Sequence, residues 1–391
     1  MFKRHKYQWL LGGLIILVAF AVGSAIYSTQ KQAGTSKVSE TTIVQRYQSW
    51  QKAYLVKTAK NQQFVRTTSQ GKVQTLSEAQ GYGMLITVMA AKQGQSTHKA
   101  FDQLTRYYLA HRISATKPLM AWRQTQQNGQ MTSTTAEQTS ATDGDLDIAY
   151  ALILADEQWQ STGSLNYGRL ATKLLAAIKD HELNPTTKLP LVGDWATAGA
   201  TRNLVRPSDL ITAYFRKFAS YTGDGSWTKV AQNSQSTLQK LSGQTVTGLM
   251  ADFVTVTGTT LKTGTVTANQ VSSSHDAQYG FNACRIPWRV AYDYQLSKSK
   301  TSQQMVQKML RFFVKQSKVT AVYTLAGKPV EKYQNQAFTA PIAYASQVLS
   351  NQVMTQRYVP LLTAKLPQHD YYPATVQMLM LVMSGALGKQ A

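Results

Sequence analysis

Three aspartates in five residues open the segment with the clearest potential for chemistry. Asp143, Asp145 and Asp147 stand at the start of segment 141–159, and an apolar run rich in alanine and leucine follows them. Such a run predicts a buried helix, and the spacing of Thr142 and Asp145 resembles a capping box at its start. Acidic side chains there offset the positive end of the helix dipole. Three of them ahead of an apolar helix also favour a cavity at the mouth of that helix.

Polar residues begin other predicted helices in the same way. Glu78 lies in the first turn of one of them, with Gly81 and Gly83 close behind it. Glycine in a helix costs up to ~1 kcal/mol relative to alanine, so we expect a neighbouring backbone or a ligand to approach closely here. Segments 206–209 and 282–289 also place polar residues ahead of apolar runs. If these helices lie side by side, their polar ends converge at one mouth.

The elements that must position these residues are mostly helices. Twelve segments have helical periodicity, and most of them form pairs joined by short turns. They are 43–58, 78–93, 98–112, 144–160, 164–181, 208–222, 226–242, 284–298, 302–318, 338–350, 353–365 and 371–386. Six such pairs predict an all-α toroid of inner and outer helices. Segment 254–274, rich in valine and threonine around two glycines, predicts a small β-hairpin inserted in it.

Aromatic residues adjoin the polar helix starts. Each one alone is typical of a core, but carboxylates among aromatic rings suit a carbohydrate cleft, because rings offer apolar faces for stacking. Two carboxyl groups suffice for glycoside hydrolysis. The aromatic residues are Trp122, Trp195, Tyr214, Tyr279, Phe281, Trp288, Tyr371 and Tyr372.

Three motifs resemble those of glycoside hydrolase family 8, the family of bacterial endoglucanases, lichenases, chitosanases and some xylanases. ATDGDLDIAYALILADEQW (141–159) resembles the family signature, SEAQGYGML (77–85) the segment of its catalytic acid, and NACRIPWR (282–289) the segment that usually holds its base. The resemblance covers residues 45–387 and implies an (α/α)6 barrel with an inverting mechanism. It implies that Glu78 is the general acid and that Asp143 holds the sugar at the cleavage point. Burial and Asp143 would then both raise the pKa of Glu78.

The resemblance also implies sugar-contacting positions, whereas Asp145 and Asp147 are expected to be structural. The weaker motifs LMAW (119–122) and VGDW (192–195) contribute to this set. The implied substrate-binding residues are Tyr82, Trp122, Asp194, Trp195, Asn282, Arg285 and Trp288.

The expected catalytic base is missing from its usual position. Asn282 stands where the endoglucanase branch has an aspartate, and an amide is too weak a base to activate water at neutral pH. Asp276, on the loop ahead of the same helix, is the first candidate, and Glu137 is the second. Asp194 and Glu331 are weaker candidates. The alternative is a weak or inactive glycan-binding accessory protein of polysaccharide export.

The N-terminal region predicts attachment to a membrane. Residues 3–6 are basic, and 9–27 form a charge-free apolar run of membrane-spanning length. The positive-inside rule then leaves 1–8 in the cytoplasm as a tail and places a linker, 28–42, and the catalytic domain, 43–391, outside. A signal peptide cleaved near Ala25 is the alternative.

The amino-acid composition limits the kinds of partner that we expect. Lys and Arg exceed Asp and Glu enough to give a net charge of +22, but the basic residues are scattered and no nucleic-acid motif is present, so we expect no nucleic-acid partner. One cysteine and six widely spaced histidines predict neither a metal site nor a cofactor. The sequence therefore predicts a membrane-anchored, extracytoplasmic endo-glycosidase. Its expected partners are a polysaccharide (a β-glucan, a chitosan-like polymer or the cell's own exopolysaccharide), the membrane, and the machinery of exopolysaccharide synthesis or export.

Overall fold

The computed structural model describes residues 38–387 apart from 69 and 162. This part of the chain contains twelve α-helices. They are α1 (Glu40–Tyr54), α2 (Ser77–Ala91), α3 (His98–Ala110), α4 (Thr142–Trp159), α5 (Tyr167–His181), α6 (Thr212–Thr222), α7 (Ser226–Gly243), α8 (Ile286–Ser297), α9 (Lys300–Val314), α10 (Gln336–Val348), α11 (Gln352–Thr363) and α12 (Tyr371–Leu387). The prediction of twelve helices in these positions is confirmed.

The pattern of apolar residues distinguishes four inner helices from the outer ones. The even-numbered helices α2, α4, α10 and α12 are buried over almost their whole length. The odd-numbered helices keep a polar face; in α9, for example, Met305, Met309 and Phe313 are buried at four-residue spacing between exposed positions. A helix that is apolar all round belongs inside the protein, whereas a helix with one apolar stripe covers it.

The inner helices close into a ring. Each even-numbered helix packs against the next one along the chain, and α12 returns to pack against α2. The odd-numbered helices pack outside this ring, as α3 does on α2 and α5 on α4. This is the arrangement of six inner and six outer helices that the sequence predicts.

The described residues also form short β-strands. They form a hairpin of β1 (Leu55–Lys57) and β2 (Gln63–Val65), and two antiparallel sheets ordered β3–β4–β5 and β6–β7–β8. The remaining strands are β3 (Gln74–Leu76), β4 (Arg123–Gln127), β5 (Gln130–Thr132), β6 (Leu204–Val205), β7 (Val254–Thr257) and β8 (Lys262–Gly264).

One of these strand pairs is expected and the others are not. The hairpin predicted within 254–274 is present as β7 and β8. The β3–β4–β5 sheet is not predicted because β4 and β5 are short and rich in glutamine, without a clear apolar alternation. In that sheet Leu76 pairs with Arg123, and α2 begins directly after Leu76.

The predicted membrane segment, 9–27, lies outside the described residues. Among the helices of residues 38–387, none combines the length and the hydrophobicity needed to span a bilayer.

Candidate active site

Five inner helices direct their N-terminal ends to a common cluster. Glu78 lies in the first turn of α2 and Asp143 in the first turn of α4. A 3-10 turn, Pro207–Asp209, leads toward α6, and a second, Ala283–Arg285, leads into α8. Tyr371 is the first residue of α12. Contacts between these side chains show that the ends converge as the sequence predicts.

Glycines let α2 and α4 approach closely at this end. A Cβ atom on Gly81 would lie 2.8 Å from Asp147 Cβ and 3.1 Å from the Gly144 carbonyl oxygen. A Cβ on Gly144 would lie 2.6 Å from the Ser77 carbonyl carbon. The close approach expected at Gly81 is therefore made by the neighbouring helix. This contact places Glu78 and Asp143 side by side.

Arg285 joins the converging ends. Its Nη1 lies 2.9 Å from Asp143 Oδ2 and 3.6 Å from Glu78 Oε2. Its Nη2 donates to Ser208 Oγ at 2.9 Å and to Asn282 Oδ1 at 3.0 Å. Arginine suits this role because its planar guanidinium offers five donors in a fixed geometry.

Asp143 is held ionised by two guanidinium groups. Arg206 Nη1 and Arg285 Nη1 each lie 2.9 Å from Asp143 Oδ2. Burial by itself would raise the pKa of Asp143, but the charges of Arg206 and Arg285 outweigh it and hold that pKa well below its usual range. Gly144 N–H adds a 3.0 Å hydrogen bond to the other carboxylate oxygen.

The pKa of Glu78 is shifted in the opposite direction. Its side chain is 19% exposed, and the Tyr371 hydroxyl donates to Oε1 at 3.2 Å. Burial raises the pKa of Glu78 to about 7; the charge of Arg285 opposes this rise and the charge of Asp143 adds to it. Two neighbouring carboxyl groups with pKa values moved apart are typical of an acid–base site.

Sequence reasoning left four residues of this cluster out of the predicted site: Arg206, Ser208, Asp209 and Tyr371. Arg206 Nη1 lies 3.1 Å from Asp209 Oδ2, and burial raises the pKa of Asp209 to about 6. The sequence does carry a signal for Arg206 and Asp209. Both precede an inner helix, as Glu78 and Asp143 stand at the starts of theirs.

The candidate bases are engaged elsewhere in this structure. Asp276 is fully buried, and its carboxylate accepts hydrogen bonds from the backbone N–H groups of Val271, Ser272 and Ser273 and from the Ser272 hydroxyl. These bonds lower its pKa despite its burial. Asn282, at the usual base position, donates its backbone N–H to Asp252 at 3.0 Å.

The other acids of this group also have local partners or lie apart. Glu137 forms an ion pair with Arg123 and closes a capping box with Thr134. Asp194 pairs with Lys117 and accepts the Ser140 N–H at 2.8 Å. Glu331 is half-buried and forms no ion pair with any of the described residues. Within residues 38–387, none of the four candidate bases forms a hydrogen bond or an ion pair with Glu78 or Arg285.

The predicted sugar-contacting aromatic residues divide into two groups. Trp195 is 47% exposed, and Trp122 is half-buried with the Arg123 guanidinium 4.4 Å from its ring centroid. Tyr82 and Trp288 are buried, with ring centroids 6.0 Å apart. Trp195 and Trp122 therefore offer stacking surface, whereas Tyr82 and Trp288 support the cluster from beneath; the Tyr82 hydroxyl accepts a 3.2 Å hydrogen bond from Arg285.

Asp145 and Asp147 bind protein groups. Arg289 makes two hydrogen bonds to Asp147, at 2.8 and 2.7 Å. Asp145 accepts the Met120 N–H at 2.9 Å, and α4 begins at Thr142 without a side-chain cap. The predicted helix start is correct and the predicted capping box is wrong, because Asp145 serves a distant loop instead.

A second pair of buried carboxyl groups lies behind the site. Burial raises the pKa of Glu182 to about 8, and burial together with the charge of Glu182 raises the pKa of Asp145 well above its usual value. Ser140 Oγ donates to Glu182 at 2.5 Å. Since Ser140 precedes Asp143 by three residues, this pair supports the segment that carries Asp143.

A carboxyl group of raised pKa beside an ionised, arginine-bound aspartate at the mouth of a helical ring is an arrangement that suits glycoside hydrolysis. Residues 19–386 match the family model of glycosyl hydrolases family 8, and the chain belongs to that family. It is an O-glycosyl hydrolase that resembles endoglucanases.

Proteins similar to this chain are found by sequence and by structure. A β-glucanase of Niallia circulans is 33% identical over 90% of this chain and 86% of its own. The apo structure of a β-1,3-1,4-glucanase from Paenibacillus sp. X4 superposes with a TM-score of 0.80 at 30% identity, over 88% of this chain and 91% of that one. A reducing end xylose-releasing exo-oligoxylanase, with a TM-score of 0.71 and 18% identity over 91% and 93% of the two chains, shares the fold.

Proposed function

We propose that this protein is an inverting hydrolase that cleaves a β-linked polysaccharide internally, outside the cell membrane. The observation that carries the proposal is the pair of Glu78 and Asp143, which share Arg285 and have pKa values shifted in opposite directions. Glu78 keeps a proton near neutral pH and donates it to the oxygen of the leaving sugar. Asp143 stays ionised and accepts hydrogen bonds from hydroxyl groups of the sugar under attack.

The water that attacks the sugar needs a separate base. In an inverting enzyme the acid and the base are ~6.5–9.5 Å apart, which leaves room for that water. Asp143 is unsuited to the role because Arg206 and Arg285 hold its charge. Asp276 stays our first candidate and Glu137 the second. Asp276 must give up its present hydrogen bonds before it can reach a water, so its use as the base requires the 271–276 loop to open when substrate binds.

Several observations bear on the substrate. Relatives named β-glucanase favour a β-glucan. The apolar run 9–27 favours the cell's own exopolysaccharide, because an anchored enzyme acts on polymer as it leaves the cell. A chitosan-like polymer is the third candidate. Trp122 and Trp195 supply stacking surface that would suit any of these sugars.

A second candidate function is a glycan-binding accessory protein of polysaccharide export with little turnover. The specific observation in its favour is the amide of Asn282 at the usual base position, together with candidate bases that are engaged by other groups.

A reducing-end assay separates the two functions. The substrates are β-glucan, chitosan and polymer isolated from the producing cells, and Glu78→Gln is the blank. Activity above the blank, with proton NMR showing the α-anomer as the first product of β-linked substrate, supports the inverting enzyme. Equal signals from the protein and the blank on every substrate would leave only the binding function.

The base is tested with Asp276→Asn and Glu137→Gln, each measured for kcat and for thermal stability. Loss of at least a hundredfold in kcat from a protein that stays folded at the assay temperature identifies the base. If Asp276→Asn lowers only the melting temperature and leaves kcat intact, its carboxylate is a loop cap. A residual rate that neither variant lowers would point to Glu331 or Asp194.

Location is tested by cell fractionation. We expect the full-length chain in the membrane fraction, with its catalytic domain sensitive to protease added outside the cells. Recovery from the medium of a chain that begins near Ala25 would show a cleaved signal peptide instead.

A further inference from the structure

A cavity of about 630 Å³ lies away from the Glu78 cluster, between three elements. The β1–β2 hairpin contributes Lys57 and Lys60, and the two residues after α3 are His111 and Arg112. The β4–β5 hairpin and the residue after it contribute glutamine, threonine and serine side chains. We call it the basic rim cavity. Its lining contains three permanent positive charges and no acidic residue.

These charges are not neutralised by the protein. Lys57, Lys60 and Arg112 form no ion pair with any residue that the structure describes. The acid next to the lining residues in sequence is Glu137, and it forms an ion pair with Arg123. Arg112 by itself has a structural role, since its Nε donates to the Leu109 carbonyl at 2.9 Å near the end of α3. A helix end does not explain the two lysines, which lie on a different element.

Two aromatic residues complete the wall. The Tyr107 hydroxyl is buried and has no hydrogen-bond partner among the described residues. The His111 ring packs on the Tyr107 ring with centroids 4.1 Å apart, and burial together with the charge of Lys60 lowers the pKa of His111 to about 4. His111 is therefore neutral at physiological pH, and the positive charge of the cavity comes from Lys57, Lys60 and Arg112.

The basic rim cavity is connected to the cleft by one strand. Trp122 directly precedes β4, and Gln126 of the same strand lines the cavity. At a rise of ~3.3 Å per residue these two positions are at most about 13 Å apart. A polysaccharide that stacks on Trp122 therefore needs only a few more sugar units to reach the cavity.

We propose that the basic rim cavity binds an acidic sugar unit of the polysaccharide whose neighbouring units occupy the cleft. The lining suits such a unit: lysine and arginine bind a carboxylate or phosphate, and the glutamine, serine and threonine side chains bind sugar hydroxyls. This inference rests on the proposed glycosidase function and adds that the preferred polymer carries acidic substituents. A net charge of +22 also favours a polyanionic substrate.

The test compares binding of neutral, carboxymethylated and phosphorylated β-glucan of matched chain length, in the Glu78→Gln background so that no polymer is cut. The variant is Lys57→Gln with Lys60→Gln, both at exposed positions. The matched control is Lys300→Gln with Lys318→Gln, which removes the same charge from exposed positions at and beyond α9.

We expect the parent protein to bind at least one acidic polymer more tightly than the neutral one, and the rim variant to lose roughly tenfold of that affinity. The control should keep the preference, and neutral β-glucan should bind equally to all three proteins. The acid group bound more tightly identifies the substituent as a carboxylate or a phosphate.

Two results would overturn the inference. One is the absence of any preference for acidic polymer in the parent protein, and the other is an equal loss in the rim variant and the control, which would reflect overall charge alone. Turnover of neutral β-glucan by the protein that retains Glu78 tests the proposed function separately, so the two failures can be told apart.

Discussion

Removal of the Tyr371 hydroxyl should move the alkaline limb of the pH–activity profile to higher pH. Tyr371 donates to Glu78 Oε1 at 3.2 Å, and this bond stabilises the ionised form of Glu78. A general acid must be protonated to act, so activity falls as pH rises through its pKa. Without the hydroxyl the pKa of Glu78 rises further from its present value of about 7, and Tyr371→Phe stays active to higher pH.

The size of the shift follows from the strength of the bond. A hydrogen bond to a charged group contributes ~1.5–3 kcal/mol, and one pKa unit corresponds to ~1.4 kcal/mol. The 3.2 Å separation is longer than the usual O–H···O distance, so we take the lower end of this range. The expected change is a rise of about one unit in the pKa of Glu78.

The assay is kcat/KM as a function of pH on the best polysaccharide substrate. Tyr372→Phe is the matched control, because the Tyr372 hydroxyl donates to the Phe281 carbonyl at 2.7 Å instead of to Glu78. Its alkaline limb should coincide with that of the unsubstituted protein. A limb that stays in place in Tyr371→Phe, or moves equally in both variants, would refute the assignment of this limb to Glu78.

Three further predictions concern packing, pH-dependent stability and binding. Gly81→Ala should destabilise the protein by ~1–3 kcal/mol and lower its activity, because the new Cβ would lie 2.8 Å from Asp147 Cβ and push α2 away from α4. Thermal unfolding measures the loss of stability. An unchanged melting temperature would show that the contact can relax. Burial raises the pKa of Glu182 from 4.5 to about 8, so its contribution to stability is complete below pH 4.5 and is lost as pH rises through 8. Glu182→Gln should remove this loss, and unfolding curves that keep the same pH dependence in the variant would contradict it. Trp195→Ala should raise KM several-fold with little effect on kcat or melting temperature, because the ring is 47% exposed; a loss confined to kcat would mean that Trp195 acts elsewhere in the reaction.

Local sequence pattern was sufficient for the helices. The period of the apolar residues places the twelve helices, and runs that are apolar all round mark the inner helices α2, α4, α10 and α12. The glycines near Glu78 correctly predict a close approach, although the pattern leaves open whether a helix or a ligand makes it. The short polar strands β4 and β5 have no such period, and they are found only in the structure.

The sequence by itself determined the ring of helices, the family motifs and the placement of Glu78 and Asp143 at helix starts, because each of these depends on neighbours within a few residues. The tertiary structure decided what those side chains do. Arg285 connects Tyr82, Asp143 and Ser208 from distant parts of the chain. These contacts also shift the pKa values of Glu78 and Asp143 in opposite directions, because a pKa depends on burial and on nearby charges that only the folded chain brings together.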